Sequence, residues 1–163
     1  MSSTQRTAIV TGAARGIGRA IAALLARRGW RVALADRDAA AGAATAGEIG
    51  AGFFECDVAE EPSVERCVRE AAASLGGIAA LVNNAGLTGP ANGPVERLAL
   101  QEWNRRIAVN LTGPFLMAKH CVPHLRAARS STSPRRGPCS PSRTPRPTAP
   151  RRGAWSPSRT RSP

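Results

Sequence analysis

The chain has 163 residues, a net charge of +12, 42% apolar residues and 4% aromatics, enough for one small domain. Its Met-Ser-Ser-Thr-Gln-Arg start has no apolar signal core, and no apolar run approaches the roughly 18 residues that span a bilayer, so neither export nor membrane insertion is expected. The four cysteines, Cys56, Cys67, Cys121 and Cys139, form no CxxC pair and no disulfide scaffold, which points to free thiols in a reducing compartment and a cytoplasmic location.

Thr7 to Val10 is a β-favouring run that ends in Thr11-Gly12-Ala13-Ala14-Arg15-Gly16-Ile17-Gly18. Ile17, Ile21, Leu24 and Leu25 then recur at helical spacing, giving strand, glycine turn and helix. Arg27, Arg28 and Gly29 close that helix with cations at its negative end and a C-terminal cap. Trp30 to Ala35 gives a second strand ending at Asp36, which completes one βαβ unit. The pattern repeats with an Ala-rich helix from Ala39 to Ile49, a strand from Phe53 to Val58, a helix opening near Pro62-Ser63 and running to Leu75, and a fourth strand from Ile78 to Val82. Gly86 to Gly93 reads as loop. Leu98 to about Ala128 reads as mostly helical, with Pro114 marking a helix start and Pro123 a bend or break. This alternation predicts an α/β fold, a Rossmann-like doubly wound parallel sheet.

The glycine turn suits a dinucleotide pyrophosphate. Gly12 permits the tight turn, Gly16 lets the backbone approach the phosphates, and Gly18 lets the helix pack on the sheet. The N–H groups and dipole of the helix start then face the anion. A purely structural strand-to-helix turn uses the same residues. Asp36, 18 residues after Gly18 at the end of the second strand, favours the dinucleotide: it can accept from the adenosine ribose hydroxyls and repel a 2′-phosphate, which selects NAD. Arg15 and Arg37 flank the same region and keep NADP as the alternative. His120, Cys121 and His124 lie close together in sequence without a further ligand cluster, and read as helix surface rather than metal site.

These residues resemble the classical short-chain dehydrogenases/reductases. The resemblance rests on TGAARGIG at 11–18, Asp36, Asp57-Val58 after the third strand, Asn83-Asn84-Ala85-Gly86 after the fourth, and Val109-Asn110 in the long helix. It implies a sheet of order 3-2-1-4. It also implies that Gly12, Arg15, Gly16, Ile17 and Gly18 hold the cofactor with Asp36, that Asp57 and Val58 lie against the adenine, and that the segment Asn83-Asn84-Ala85-Gly86 stabilises the central strand and, through Asn84, Ala85 and Gly86, borders the cofactor. Asn110 matches the asparagine of the family's catalytic tetrad, which holds a water in the proton relay. The implied activity is hydride transfer between a nicotinamide cofactor and a small alcohol or carbonyl substrate. The family's usual state is a homotetramer or dimer.

The rest of the tetrad is a serine after the fifth strand and a Tyr-x-x-x-Lys pair on the next helix. The tyrosine acts as general acid/base, with its pKa of about 10 drawn toward neutrality by lysine and the oxidised nicotinamide. This chain has no tyrosine, and its one lysine, Lys119, lies upstream in the helix of Asn110. The expected organisation is therefore an incomplete cofactor-binding region at 1–128, truncated after the fourth strand and the long helix, with an unpaired β edge, a lost subunit interface and poor solubility.

Residues 129–163 differ from the rest. Nine Arg, eight of the 13 prolines and no acid fall there, and the apolar content is Cys139, Ala149, Ala154 and Trp155, too little to offset the entropy of ordering. A disordered tail is expected. Decoded from the third base of each codon, Arg129 to Arg135 can give Ile-Val-Asn-Ile-Ala-Ser, and Pro147 to Pro157 can give Tyr-Gly-Ala-Ser-Lys-Gly-Gly-Leu-Val-Ala. One offset recovers the missing serine, tyrosine and lysine, which predicts a frame change between Leu125 and Ser130. The competing reading is a genuine basic arm that binds nucleic acid by counterion release; with Trp155 its one aromatic residue, no specific nucleic-acid partner is expected.

Overall fold

The computed structural model describes residues 6–88 and 94–125; residues 89–93 of the expected loop and the whole expected tail lie outside the described residues. The elements run β1 (Thr7–Thr11), α1 (Gly16–Arg27), β2 (Arg31–Asp36), α2 (Ala39–Ile49), β3 (Gly52–Glu55), α3 (Glu61–Leu75), β4 (Ala80–Val82), α4 (Leu100–Ile107) and α5 (Gly113–Cys121). The strands form one sheet, all parallel as the alternation of elements predicts, in the order β3-β2-β1-β4 that the family resemblance implies.

Alternate residues of the central strands feed two core layers. Ile9, Ala33 and Ala35 face α3 and α5, joined by Val64, Val68, Leu75, Ile78 and Met117. Val10, Val32 and Leu34 face the other way, against Ala22 of α1 and Ala46 of α2. Ile9, Val10 and Leu34 are fully buried, each contributing roughly 1.5–3 kcal/mol of apolar transfer. Because both faces of β1 and β2 are covered, their sequences are continuous apolar runs rather than alternating ones.

Two strands are shorter than the sequence predicts. β3 stops at Glu55 because Asp57 turns the chain: its N–H donates to Ser63 Oγ at 3.1 Å and its Oδ1 accepts from Ala59 N at 2.9 Å, a turn that leads into α3. β4 begins at Ala80, since Ala79 N donates back to Thr7 O and Thr7 Oγ1. Ile78, just before it, forms a parallel bridge with Leu125, and its N–H donates to His124 O at 3.0 Å. The chain has thus returned to the side of the sheet beyond β4.

The long helix is continuous in backbone conformation but contains a π-helical turn, Ala108–Thr112, between α4 and α5. Pro114 explains the position: it has no N–H for the carbonyl of Asn110 four residues earlier, and its ring crowds that carbonyl. A short 3-10 turn, Val122–His124, holds Pro123 and ends the helix, as expected.

Candidate active site and its relatives

The chain passes from β1 outward to β2 and β3, then crosses to β4 on the other side of β1. Ligands of doubly wound sheets bind where that reversal opens a crevice at the carboxyl ends of the strands. Such a cleft lies here, lined by Gly12 after β1, Asp36 and Arg37 after β2, Cys56, Asp57 and Val58 after β3, Ala85, Gly86 and Leu87 after β4, and Val109 of the π turn. Six of the residues singled out by sequence, Gly12, Asp36, Asp57, Val58, Ala85 and Gly86, are therefore brought together by four separate segments.

The glycines divide the work of the turn. Gly12 has φ +63°, and a Cβ there would stand 2.8 Å from Ala85 Cα. A Cβ on Gly18 would stand 2.2 Å from Gly12 O, so α1 can approach β1 only with glycine at that position. Gly16 has φ +56° with nothing within 4 Å of its ideal Cβ position, which is open space at the start of α1. Arg15, the N-cap of α1, makes no side-chain cap bond, and the first turn holds no acidic residue. The α2 start, by contrast, is capped by Asp38, which accepts from Ala41 N. Open space over Gly16, uncapped N–H donors and a carboxylate on the neighbouring strand form a donor set that fits a dinucleotide: phosphates at the α1 start, ribose toward Asp36.

Asp36 also has a structural task. Its Oδ2 accepts from Ala14 N at 2.9 Å and its Oδ1 from Asp38 N at 3.0 Å, which ties the glycine turn to the end of β2. Arg15 reaches Asp38 Oδ2 at 2.6 Å in an exposed ion pair. Ile17 projects into solvent from the first turn of α1, 74% exposed.

Asn84 does not line the cleft. Its Nδ2 donates to Thr11 O at 3.0 Å and Gly12 O at 3.2 Å, so it bolts the end of β4 to the glycine turn. Thr11 completes that bolt: its buried Oγ1 accepts from Asn84 N and Ala85 N, each at 3.0 Å, and donates to Val82 O at 3.3 Å. Sequence reasoning quoted Thr11 as part of a motif without giving it a task; a hydroxyl at the last buried position of a strand, before a glycine, was the available signal. Cys56, Leu87 and Val109 were likewise not expected to line the cleft.

Asn110 sits in the π turn. Its Oδ1 accepts from Leu87 N at 2.7 Å and its Nδ2 donates to Leu87 O at 3.1 Å, so its carboxamide holds the segment after β4. Lys119 lies on α5 and pairs with Glu61 at the start of α3, at 2.7 Å, as does His120 at 3.0 Å. Among the described residues no cluster of His, Cys, Asp and Glu could hold a metal ion, and no helix is long and apolar enough to cross a membrane.

A parallel sheet with its cleft at the β1/β4 reversal, a glycine turn and an acid at the end of β2 define a Rossmann-type doubly wound fold. A model of the short chain dehydrogenase family matches residues 6–132, and the chain belongs to that family. It is 43% identical over 119 residues to a D-threitol dehydrogenase of Mycolicibacterium smegmatis, covering 70% of this chain and 45% of that protein. It is 43% identical over 114 residues to a sorbitol dehydrogenase of Cereibacter sphaeroides, covering 69% of this chain and 44% of that protein. Among solved structures, a 3-ketoacyl-(acyl-carrier-protein) reductase from Brucella melitensis complexed with NADH superposes with a TM-score of 0.70 at 35% identity, over 73% of this chain and 49% of that one. The chain spans about half the length of the curated relatives it matches.

Proposed function

We propose that this chain is the NAD-binding half of an oxidoreductase that acts on a small alcohol or its carbonyl counterpart, and that in the form given it binds the dinucleotide without turning over substrate. The observation that carries the reading is one crevice that brings Gly12 of the glycine turn together with Asp36, Asp57, Val58, Ala85 and Gly86, with Asp36 bonded to Ala14 N in the turn that leads to the uncapped α1 start. The NADH bound by the Brucella melitensis reductase supports a nicotinamide cofactor, and the polyol names of two relatives support an alcohol substrate class. When bound, the nicotinamide supplies the hydride acceptor or donor.

The chain's own residues do the rest. N–H groups of Ile17 and Gly18 receive phosphate oxygens, and Asp36 accepts from ribose hydroxyls while disfavouring a 2′-phosphate. Asp57 and Val58 border the adenine, with Ala85 and Gly86 along the opposite wall. Arg15, engaged by Asp38, is withheld from a 2′-phosphate, which supports NAD over NADP. Asn110 holds the wall in place through Leu87. No tyrosine is present to move the substrate proton, and Lys119 is engaged at Glu61.

The recovery of serine, tyrosine and lysine from one shifted frame supports a frame change after Leu125 as the reason for the missing groups. The Ile78–Leu125 bridge is consistent with that reading, since it begins the position a fifth parallel strand takes beside β4. Leu111, Phe115 and Val122, exposed along the π turn, α5 and the turn after it, offer the apolar surface that a second subunit of the intact protein covers.

The test is limited proteolysis of the full chain with NAD, NADP or neither, beside the same protein with its frame restored. Protection by NAD in both, with hydride transfer to polyols in the restored form alone, is the expected result. Absence of protection in the restored form overturns the cofactor reading.

A further inference from the structure

Among the described residues, Thr7, Thr11 and Thr45 are the buried polar side chains, and Thr45 alone stands on a helix. It lies in α2, whose stretch from Ala39 to Gly47 is otherwise alanine and glycine. Threonine is a poorer helix former than alanine, and inside a helix its hydroxyl ordinarily finds the carbonyl four residues earlier. Here the hydroxyl proton goes elsewhere: Thr45 Oγ1 donates to Ala14 O at 2.9 Å, a buried bond across 31 residues of sequence. Gly42, one turn earlier on the same buried face, lets α2 approach the sheet, since a Cβ there would collide with the Phe53 ring of β3. Ala14 belongs to the glycine turn and is held at both ends. Its N–H donates to Asp36 Oδ2 at 2.9 Å, and its carbonyl receives Thr45. The backbone N–H of Asp38, the N-cap of α2, donates to the other oxygen of Asp36 at 3.0 Å. Both oxygens of the Asp36 carboxylate are thus oriented from α2, one by the N-cap backbone and one through Thr45 and Ala14.

We propose that Thr45 is a positioning residue for dinucleotide binding: by holding the Ala14 carbonyl it keeps the Ala14 N–H on Asp36, and so fixes the direction in which that carboxylate meets the adenosine ribose. The proposal rests on the NAD-binding reading above. A carboxylate oxygen that accepts one backbone N–H keeps further acceptor capacity for a ribose hydroxyl, in a direction set by the first bond. Without the Thr45 hydroxyl the buried Ala14 carbonyl loses its partner, and the turn shifts toward another donor. That shift draws the Ala14 N–H from Asp36 and leaves the carboxylate free to rotate. The ribose hydroxyls of NAD then lose an aligned acceptor. NADP, which gains little from that acceptor, loses less. Thr45 therefore acts on the choice between the two dinucleotides without touching either.

The test titrates NAD and NADP calorimetrically into the full chain and its Thr45→Val and Thr45→Ser variants, each at a temperature where it is folded. Thr45→Val keeps the shape and removes the hydroxyl; NAD affinity is expected to fall about tenfold, the worth of one hydrogen bond to a charged group, and NADP affinity by less than about threefold. Thr45→Ser keeps the hydroxyl and is expected to bring NAD affinity back close to the parent's. Thr45→Ala takes the place of Thr45→Val should the latter fail to fold. Hydrogen exchange without ligand is expected to show the Ala14 amide opening faster in the hydroxyl-free variant, with Val32 to Ala35 of β2 unchanged. Equal losses of NAD and NADP affinity, or a serine variant no better than the valine, make Thr45 a packing residue and overturn the proposal. NAD affinity that removal of the hydroxyl leaves intact overturns it as well, with the NAD-binding reading untouched. A parent chain that binds neither dinucleotide overturns that reading and this proposal together.

Discussion

The carboxamide of Asn110 closes a two-way hydrogen-bonded ring with the backbone of Leu87, accepting its N–H at 2.7 Å and donating to its carbonyl at 3.1 Å. The ring joins the π turn of the long helix to the segment after β4, 23 residues earlier. Helix and cleft wall are thereby bonded to each other, and Pro114 fixes where the helix bulges.

Removing that ring should loosen the wall without unfolding the domain. Asn110→Ala deletes two solvent-exposed hydrogen bonds, together worth about 1–2 kcal/mol. The Leu87 amide should exchange with solvent faster while the amides of β1 and β2 keep their rates. Unchanged exchange at Leu87 would show that the wall is held by something other than Asn110.

The two glycines at the α1 start should respond differently to alanine. At Gly18 the new methyl meets backbone of Gly12 at 2.2 Å, so α1 must shift away from the turn, an overpacking cost of roughly 1–3 kcal/mol. At Gly16 it meets nothing, and the cost is the positive φ alone, about 1 kcal/mol. Chemical denaturation should rank Gly18→Ala as the less stable variant. Dinucleotide affinity should fall in both, in Gly16→Ala because the methyl occupies space left for phosphate.

Thr11→Val keeps the shape of a buried side chain and removes the one oxygen that serves Asn84 N and Ala85 N. Two N–H groups in a half-buried site then lose their acceptor, at roughly 1–3 kcal/mol each. The expected loss, about 2 kcal/mol after partial rescue by water, should appear in the denaturation midpoint. Thr11→Ser should restore most of it; a serine variant as unstable as the valine would assign the effect to packing.

The parts of this fold legible in the sequence are those that local chemistry determines. The glycine turn, the apolar runs of β1 and β2 and the acid at Asp36 carry their meaning within one βαβ unit, and the parallel sheet follows from the alternation of elements, while its order comes from the family resemblance. The unread parts are bonds across long separations. The resemblance gives the segment Asn83-Asn84-Ala85-Gly86 a strand-stabilising task, but which carbonyls the Asn84 amide meets, those of Thr11 and Gly12, depends on a neighbourhood that exists only once β4 pairs with β1. The early end of β3 is a similar case: Asp57 bonds to Ser63 and Ala59 rather than extending the strand, a local competition that an apolar periodicity does not register.

Cofactor choice should be adjustable from outside the cleft. Asp38→Asn preserves an N-cap side chain for α2 and removes the charge that engages Arg15. Arg15 is then free to meet a 2′-phosphate, and the ratio of NADP to NAD affinity should rise by up to about fivefold, the amount that an exposed ion pair of ~1 kcal/mol allows. Calorimetric titration with both dinucleotides measures it. An unchanged ratio would leave Asp36 and Arg37 as the residues that set preference.

Acid should loosen the junction where α3 meets α5. Lys119 and His120 hydrogen-bond the Glu61 carboxylate, the lysine acting first and most strongly, and hold its pKa below the ordinary 4.5. A carboxyl lowered on folding adds stability that is complete above its unfolded value and is lost as pH falls through its folded one. The melting temperature of the parent should therefore exceed that of Glu61→Gln near neutral pH, and the gap should close as pH drops below the usual carboxylate range. Because the group is solvent-exposed, raising salt should narrow the gap as well. A gap that persists undiminished in acid would mean that Glu61 holds α3 to α5 through packing or helix-start geometry, and that its charge is not what the two cations answer.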